Sequence, residues 1–315
     1  MSAIGVLTIG ETMARFTGNT IGPLDSASST SIGIGGAESN VAIGLARLGV
    51  KATWLGRVGA DPLGRLVRGT IVAQGVNTMA IEDVSAPTGM MLKEHRSTSA
   101  TRVWYYRFGS AGSRLRASDL DQVDFAHVDL LHITGITPAL SDSAAQAVGQ
   151  AVSLARAAHV PVSFDVNLRR RLWGDRNPAD LLRPLVESAD IVFGGEEELQ
   201  MFAPNLTGHE LAETIARLGP AQVIVKLGDR GAVAFIDRSP ITVPVVPAVV
   251  QDTVGAGDAF VAGYLAELLG GAPPPSRLAL AAQVAAMVCE VEGDWEGLPS
   301  RIELSEFRAA EHVVR

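Results

Sequence analysis

Short β-branched runs alternate along the chain with longer stretches whose apolar residues recur every three or four positions. Ile4 to Gly10, Ala52 to Gly59, Val128 to Gly135, Val160 to Asn167, Ile191 to Gly195 and Val223 to Gly228 read as strands. Between them, Gly36 to Leu48, Pro62 to Gln74, Ser141 to Ala158 and Leu211 to Leu218 have helical spacing, and Ser141-Asp142 gives the third a start signal. Strand and helix repeated in this way predict an α/β fold, a mostly parallel sheet with helices on both faces. Ligands of such folds bind beyond the carboxyl ends of the strands, so the residues that follow each strand are the first candidates for function.

Two stretches break the alternation. Ser26 to Gly35 is small and Gly-rich, and Thr88 to Phe108 reads as two strands joined by the polar turn Glu94 to Ala100. The expectation is one domain over residues 1–315 carrying an inserted β lid, built from about 14–35 and 87–110. Its open edges suit covering a ligand or pairing with a second copy, which predicts a homodimer through the lid or a higher homo-oligomer. Pro273-Pro274-Pro275 stops one helix and starts another at Ser276.

Composition narrows the partners. With 26 Lys+Arg against 34 Asp+Glu the formal charge is −8, which offers no general attraction to nucleic acid or an anionic membrane. A chain of 315 residues that is 47% hydrophobic and 19% charged can bury a large core, so general disorder is excluded. Cys289 is the single cysteine, which fits a reducing compartment and core packing. The start lacks a basic flank and a long apolar run, and no segment reaches the ~18 apolar residues of a membrane span, so a cytoplasmic protein is expected. The histidines His95, His127, His132, His159, His209 and His312 form no pair at metal-ligand spacing, which disfavours zinc.

The most informative segment is Asp252-Thr253-Val254-Gly255-Ala256-Gly257-Asp258-Ala259-Phe260, which leads into a helix from Ala259 to Leu269. The Gly255, Ala256 and Gly257 N–H groups at a helix start make an anion cradle that bulkier side chains would obstruct. A carboxylate beside such a cradle repels a bare anion, so Asp258 makes sense as the base that takes a proton from an attacking hydroxyl in phosphoryl transfer. The helix dipole is expected to keep it ionised at neutral pH. Alone, these residues would also suit an ordinary Gly-rich turn. Near the start, Ile34-Gly35-Gly36-Ala37-Glu38-Ser39-Asn40 runs from a strand through two glycines into a helix, where Asn40 can donate to and accept from hydroxyls.

These two segments, with Gly59-Ala60-Asp61-Pro62-Leu63-Gly64 between them, resemble in order and spacing the signature regions of the ribokinase-like (PfkB) carbohydrate kinases over nearly the whole chain. The resemblance implies a three-layer αβα sandwich with a small β lid, and ATP with Mg2+ as cofactors. A narrower likeness is to the 2-keto-3-deoxygluconate kinases. Tyr105 and Arg107, expected on one strand face, offer a hydroxyl and a forked cation to an anionic polyol. Within this resemblance Arg169 and Asp294 contact the sugar acid, joined by Gly36, Ala37, Glu38, Ser39, Asn40, Tyr106 and Ile136. Asn167, Leu168 and Arg169 border the triphosphate, while Arg170 and Arg171 would simply be solvated. Lys226-Leu227-Gly228-Asp229-Arg230-Gly231, linking two strands, matches the loop along the ATP phosphates and ribose.

At Gly195-Glu196-Glu197-Glu198, Gly195 stands where many relatives have Asn, and Glu198 matches a Glu that organises magnesium-bound water. Glu196 and Glu197 read as structural, favouring a helix dipole. Asp252 and Thr253 match the place where ribokinase holds a monovalent cation such as K+. Met91 stands where the nearest relatives have a substrate-touching Tyr, so one contact is lost or replaced.

The resulting expectation is phosphoryl transfer from ATP to the terminal hydroxyl of a six-carbon sugar acid. Three rivals remain open at this point. A neutral sugar such as fructose, or a nucleoside, is a rival within the family. Gly33-Ile34-Gly35-Gly36 loosely resembles a dinucleotide turn, but no acidic ribose partner occurs in Lys51 to Leu55. A catalytically inactive sugar-binding regulator is the third, weighed against an intact base and cradle.

Overall fold

The computed structural model describes residues 4–26, 29–97 and 100–310. Residues 27, 28, 98 and 99 of the two expected lid stretches, together with His312 and the two ends of the expected domain, lie outside the described residues. In chain order the first half contains β1 (Gly5–Ile9), β2 (Met13–Gly18), β3 (Thr30–Gly35), α1 (Ala37–Arg47), β4 (Ala52–Gly59), α2 (Pro62–Ala73), β5 (Asn77–Asp83), β6 (Met90–Ser97), β7 (Ala100–Tyr106) and β8 (Val128–Thr134). The middle follows with α3 (Thr137–Leu140), α4 (Asp142–Ala157), β9 (Val162–Asp165), α5 (Pro178–Ser188), β10 (Ile191–Gly195), α6 (Glu196–Leu199) and α7 (Gly208–Ala216). Last come β11 (Gln222–Lys226), β12 (Ala232–Ile236), β13 (Ser239–Val243), α8 (Ala256–Leu269), α9 (Pro274–Cys289) and α10 (Arg301–Ala310).

The large sheet has the order β13-β12-β11-β10-β9-β8-β1-β4-β5, parallel from β11 to β5 and antiparallel at β12 and β13. Successive residues along its strands point to opposite faces, so each strand feeds two cores. Leu7, Val223 and Val225 pack with Val148 of α4, Leu182 of α5 and Leu211 of α7, while Val6 and Ile224 pack with Val41 of α1, Val261 of α8 and Leu278 of α9. The three-layer αβα arrangement implied by the sequence is what the chain adopts.

Departures from the expectation have local causes. Strand β5 has only three apolar residues, Met79 to Ile81, between polar ends and is mostly half buried or exposed at the sheet edge, which blurs its pattern. Helix α8 starts at Ala256 rather than Ala259, because Gly255 turns the chain with a φ of 80°. Helix α9 starts at Pro274 rather than Ser276, using proline at its first position, where no amide bond is lost.

A second sheet has the order β3-β2-β6-β7 and stands outside the alternation, as expected. Asp61, the N-cap of α2, also accepts from the Thr88 N–H (2.8 Å) and hydroxyl (2.9 Å), which fixes the entry to β6. Register aligns Ile32, Phe16, Leu92 and Trp104 in one row across the four strands. The two ends of that apolar row, Ile32 and Trp104, are exposed.

Candidate active site

The ends of β1 and β9, the turn from β3 into α1, strand β7 and the start of α8 surround a cavity of about 370 Å3. A neighbouring cavity of about 530 Å3 runs toward the ends of β10 and β11. Asp258, Gly255, Arg169, Tyr105, Met91 and Asp294 line both, so the two chambers meet at the Asp258 carboxylate.

Asp258 is buried, and both its oxygens accept from amides: Oδ2 from Asn40 Nδ2 at 2.8 Å and Oδ1 from Asn167 Nδ2 at 3.2 Å. Asn167 holds its place with a left-handed φ of 37°, a strained conformation of the kind that gathers at functional sites. Burial pushes the Asp258 carboxyl up to about 7; the Asn40 bond lowers it, Asp165 raises it, and Arg169 and Lys226 lower it. This corrects the expectation that the helix dipole keeps it comfortably ionised. Desolvation of the charged form outweighs half a charge at a helix end.

The cradle also differs in detail. The Ala256 N–H donates to the Thr253 carbonyl at 3.3 Å, closing the turn before α8, whereas the Gly255 and Gly257 N–H groups have no protein acceptor among the described residues. Glycine is required at 255: its φ is left-handed, and a Cβ there would lie 1.8 Å from the Asp294 carbonyl oxygen.

On the acceptor side Gly36, Ala37, Glu38, Asn40, Tyr105, Arg107, Ile136, Leu168, Arg169 and Asp294 line the cavity. Ser39 does not: its hydroxyl folds back onto the Gly36 carbonyl at 2.9 Å. Tyr106 does not either. Strand alternation turns it to the opposite face from Tyr105, where it is exposed. Glu38 lines the cavity but also ties α1 to β8, its Oε1 accepting from the Thr134 and Thr137 hydroxyls at 2.7 and 2.6 Å. Its burial drives the carboxyl upward.

Arg107 lies just past β7, with its guanidinium 5.9 Å from the centre of the Tyr105 ring. Its Nε donates to Glu11 Oε2 at 2.7 Å, and Ser110 donates to the other Glu11 oxygen. Sequence reasoning did not single out Glu11. The charge of Arg107 is thus balanced by a buried carboxylate, and Arg170 and Arg171, exposed to solvent as expected, also join Arg169 on the cavity wall. Met91 is buried under the cavity with its methyl against Gly35, so this patch of wall is apolar.

Asp294 is not a free carboxylate. Its Oδ1 accepts from Arg15 Nη1 at 2.9 Å and lies 3.5 Å from Lys93 Nζ. Lys93 also sits 2.5 Å from Asp252 Oδ2, so an ammonium contacts the carboxylate expected to hold a monovalent ion. The residues present do not fit that ion. Neither Lys93 nor Arg15 was singled out in the sequence; Arg15 is the single basic residue of β2, and Lys93 opens the charged run Lys93-Glu94-His95-Arg96 of β6.

In the second chamber, Lys226 pairs with both oxygens of buried Asp165 at 2.9 Å, and its Nζ would lie 3.4 Å from a Cβ at Gly257, placing the cation against the cradle. Burial opposes its charge, but Asp165, Glu198 and Asp258 outweigh burial and raise it. Asn167, Gly195, Glu198, Gly228 and Gly257 line this chamber, whereas Ala256, Leu227, Asp229, Arg230 and Gly231 do not. A single turn of 3-10 helix over Gly228–Arg230 closes the loop, and Arg230 pairs with Glu196 at 2.9 Å.

Glu198 accepts from the Leu168 N–H at 2.8 Å and the Gly195 N–H at 2.6 Å, which joins the ends of β9 and β10. Each oxygen keeps a lone pair for a water. Among the described residues no group of three or more acidic, His or Cys side chains forms a metal cage, so a magnesium ion here would be held through phosphate oxygens and water, with Glu198 at its edge.

The chain is similar to several known proteins. Residues 4–301 match the profile described as "pfkB family carbohydrate kinase". The chain is 34% identical to a 2-dehydro-3-deoxygluconokinase of Bacillus subtilis (strain 168), an alignment covering 99% of this chain and 97% of that protein. A 2-dehydro-3-deoxygluconokinase of Thermoproteus tenax is 33% identical, over 98% and 95%. Among solved structures, a PfkB protein from Polaromonas sp. JS666 superposes with a TM-score of 0.88 at 35% identity, covering 96% of this chain and 99% of that one.

Proposed function

Since the chain belongs to the pfkB family of carbohydrate kinases, we propose that it transfers the γ-phosphoryl group of ATP to the terminal hydroxyl, O6, of 2-dehydro-3-deoxy-D-gluconate. The observation that carries this reading is the meeting of the two chambers at Asp258, opposite a wall bearing Arg107, Arg169, Arg170 and Arg171. The sugar acid takes the first chamber and ATP the second.

Asp258 accepts the O6 proton as the new O–P bond forms and the bond from the γ-phosphorus to its bridging oxygen breaks, releasing ADP. Asn40 and Asn167 aim the carboxylate, and a resting value near 7 suits a base that must take and release a proton at neutral pH. The free Gly255 and Gly257 N–H groups and the Lys226 ammonium stabilise charge on the transferring group. Bound magnesium would add charge neutralisation across the phosphates. Glu11 fixes Arg107 through one edge of its fork, leaving another edge to orient the sugar carboxylate, with Tyr105 and Arg169 beside it. The small sheet acts as a lid that keeps water from the phosphoryl group. Its exposed apolar row also supports pairing of two copies, which sedimentation would read as a dimer mass.

ADP release with 2-dehydro-3-deoxygluconate, its galactose-series epimer, fructose, ribose and adenosine tests the substrate class. Turnover confined to the sugar acids is expected, and Arg107→Ala or Arg169→Ala should raise KM for them. Turnover of the neutral sugars alone would overturn the sugar-acid reading.

A further inference from the structure

Lys93 enters the body of the protein from β6 and is 1% exposed, among the most deeply buried side chains in the molecule. Its ammonium lies 2.5 Å from Asp252 and 3.5 Å from Asp294. The remaining bonds of Asp252 go to backbone: Oδ1 accepts from the Val254 N–H at 3.1 Å and Oδ2 from the Gly293 N–H at 3.3 Å. Asp252 therefore has a donor on each oxygen and shares the Lys93 charge with Asp294.

A carboxylate at this point of the loop is the one the family resemblance associates with a monovalent metal ion. A second unit positive charge on the same carboxylate would sit against the Lys93 ammonium in a region with little water to screen it. We propose that Lys93 is the built-in cation of the phosphate-binding loop, so that this chain needs no monovalent metal ion; the proposal rests on the kinase function given above.

The geometry gives this cation a positioning role. Asp252 and Asp294 lie on the two segments that enclose Gly255, whose missing Cβ leaves room for the Asp294 carbonyl. Bridging both carboxylates, Lys93 holds those segments at the spacing that leaves the Gly255 N–H free. Arg15, on the neighbouring strand β2, pairs with Asp294 at 2.9 Å and with Glu296 at 2.5 Å. Two strands of the small sheet are thus locked by ion pairs to the two segments that enclose Gly255, so sugar-side closure and cradle shape are set together.

The test compares full-length wild type, Lys93→Met and Lys93→Arg in KCl and in tetramethylammonium chloride at equal ionic strength, reading melting temperature without substrates and initial rate with them. Wild type and Lys93→Arg should give the same values in both salts. Lys93→Met should lose about 10- to 100-fold in kcat, as expected of a cradle displaced by a fraction of an ångström, and should regain rate and melting temperature saturably with K+ alone. A saturable, K+-specific rise in wild type or in Lys93→Arg overturns the proposal, as does a folded Lys93→Met that ignores K+. If Lys93→Met does not fold, the other two proteins decide it. The melting arm uses no sugar, so it stands even if the proposed substrate proves wrong.

Discussion

Asp252 and Asp258 flank one short turn, and both are buried, yet their surroundings assign them opposite chemistry. Asp252 faces an ammonium and two backbone N–H groups, so it is ion-paired and works as a fixed tether. Among the described residues Asp258 accepts from two side-chain amides, and its nearest charges, Asp165, Arg169 and Lys226, partly cancel; burial then pushes it up to about 7. A carboxylate with its own counter-ion is structural, whereas one solvated by neutral dipoles alone can exchange a proton near neutral pH.

The sharpest way to break this contrast is to remove the Asp258 charge. Asp258→Asn should lower kcat about 10²- to 10⁴-fold, the usual share of a general base, measured as ADP release. The same change should leave the fold intact. Because the folded value lies above the ordinary carboxylate range, the protonated carboxyl favours the folded state at low pH, and that contribution disappears as pH rises through about 7. Asp258→Asn is therefore expected to match or exceed the wild-type melting temperature at pH 8, and a large drop there would contradict the assignment.

Removing the counter-ion of Asp252 should act in the opposite way. Lys93→Met leaves a buried carboxylate uncompensated and should cost about 3–5 kcal/mol of stability, read from urea midpoints in K+-free buffer. A cost within a few tenths of a kcal/mol would mean that Asp252 is not held as a fixed charge.

The smallest expected effect concerns fine tuning. In wild type kcat/KM should fall about tenfold per pH unit below about 7, as the free enzyme's Asp258 takes up its proton. Asn40→Ala removes the bond that lowers this value, so the acid limb should move upward by about one pH unit. A limb that stays in place or moves down would mean that Asn40 does not stabilise the ionised form.

Much of the architecture was legible in the sequence. The alternation of β-branched runs with helical periodicity marked most of the parallel strands, because strands inside a sheet are apolar on both sides. Edge strand β5, half exposed and mixed in composition, gave no such signal. The segments around Gly36 and Asp258 were legible as well, since glycines beside a helix start and an acid among them have few ordinary explanations. Lys93, Arg15 and Glu11 were not. A charged residue in or beside a strand reads as a surface position until the partner across the fold is known, and their partners are Asp252, Asp294 and Arg107, far along the chain.

The sequence by itself determined the layers of the fold and the Gly-rich turn that brings an acid to the start of α8, because each depends on local spacing and backbone freedom. Only the tertiary structure decided which carboxylates are ion-paired, which arginines line the cavity, and which cation stands at Asp252. Those properties depend on burial and on the counter-charge supplied by distant strands, and charge in a protein interior is set by what surrounds it rather than by what precedes it in the chain.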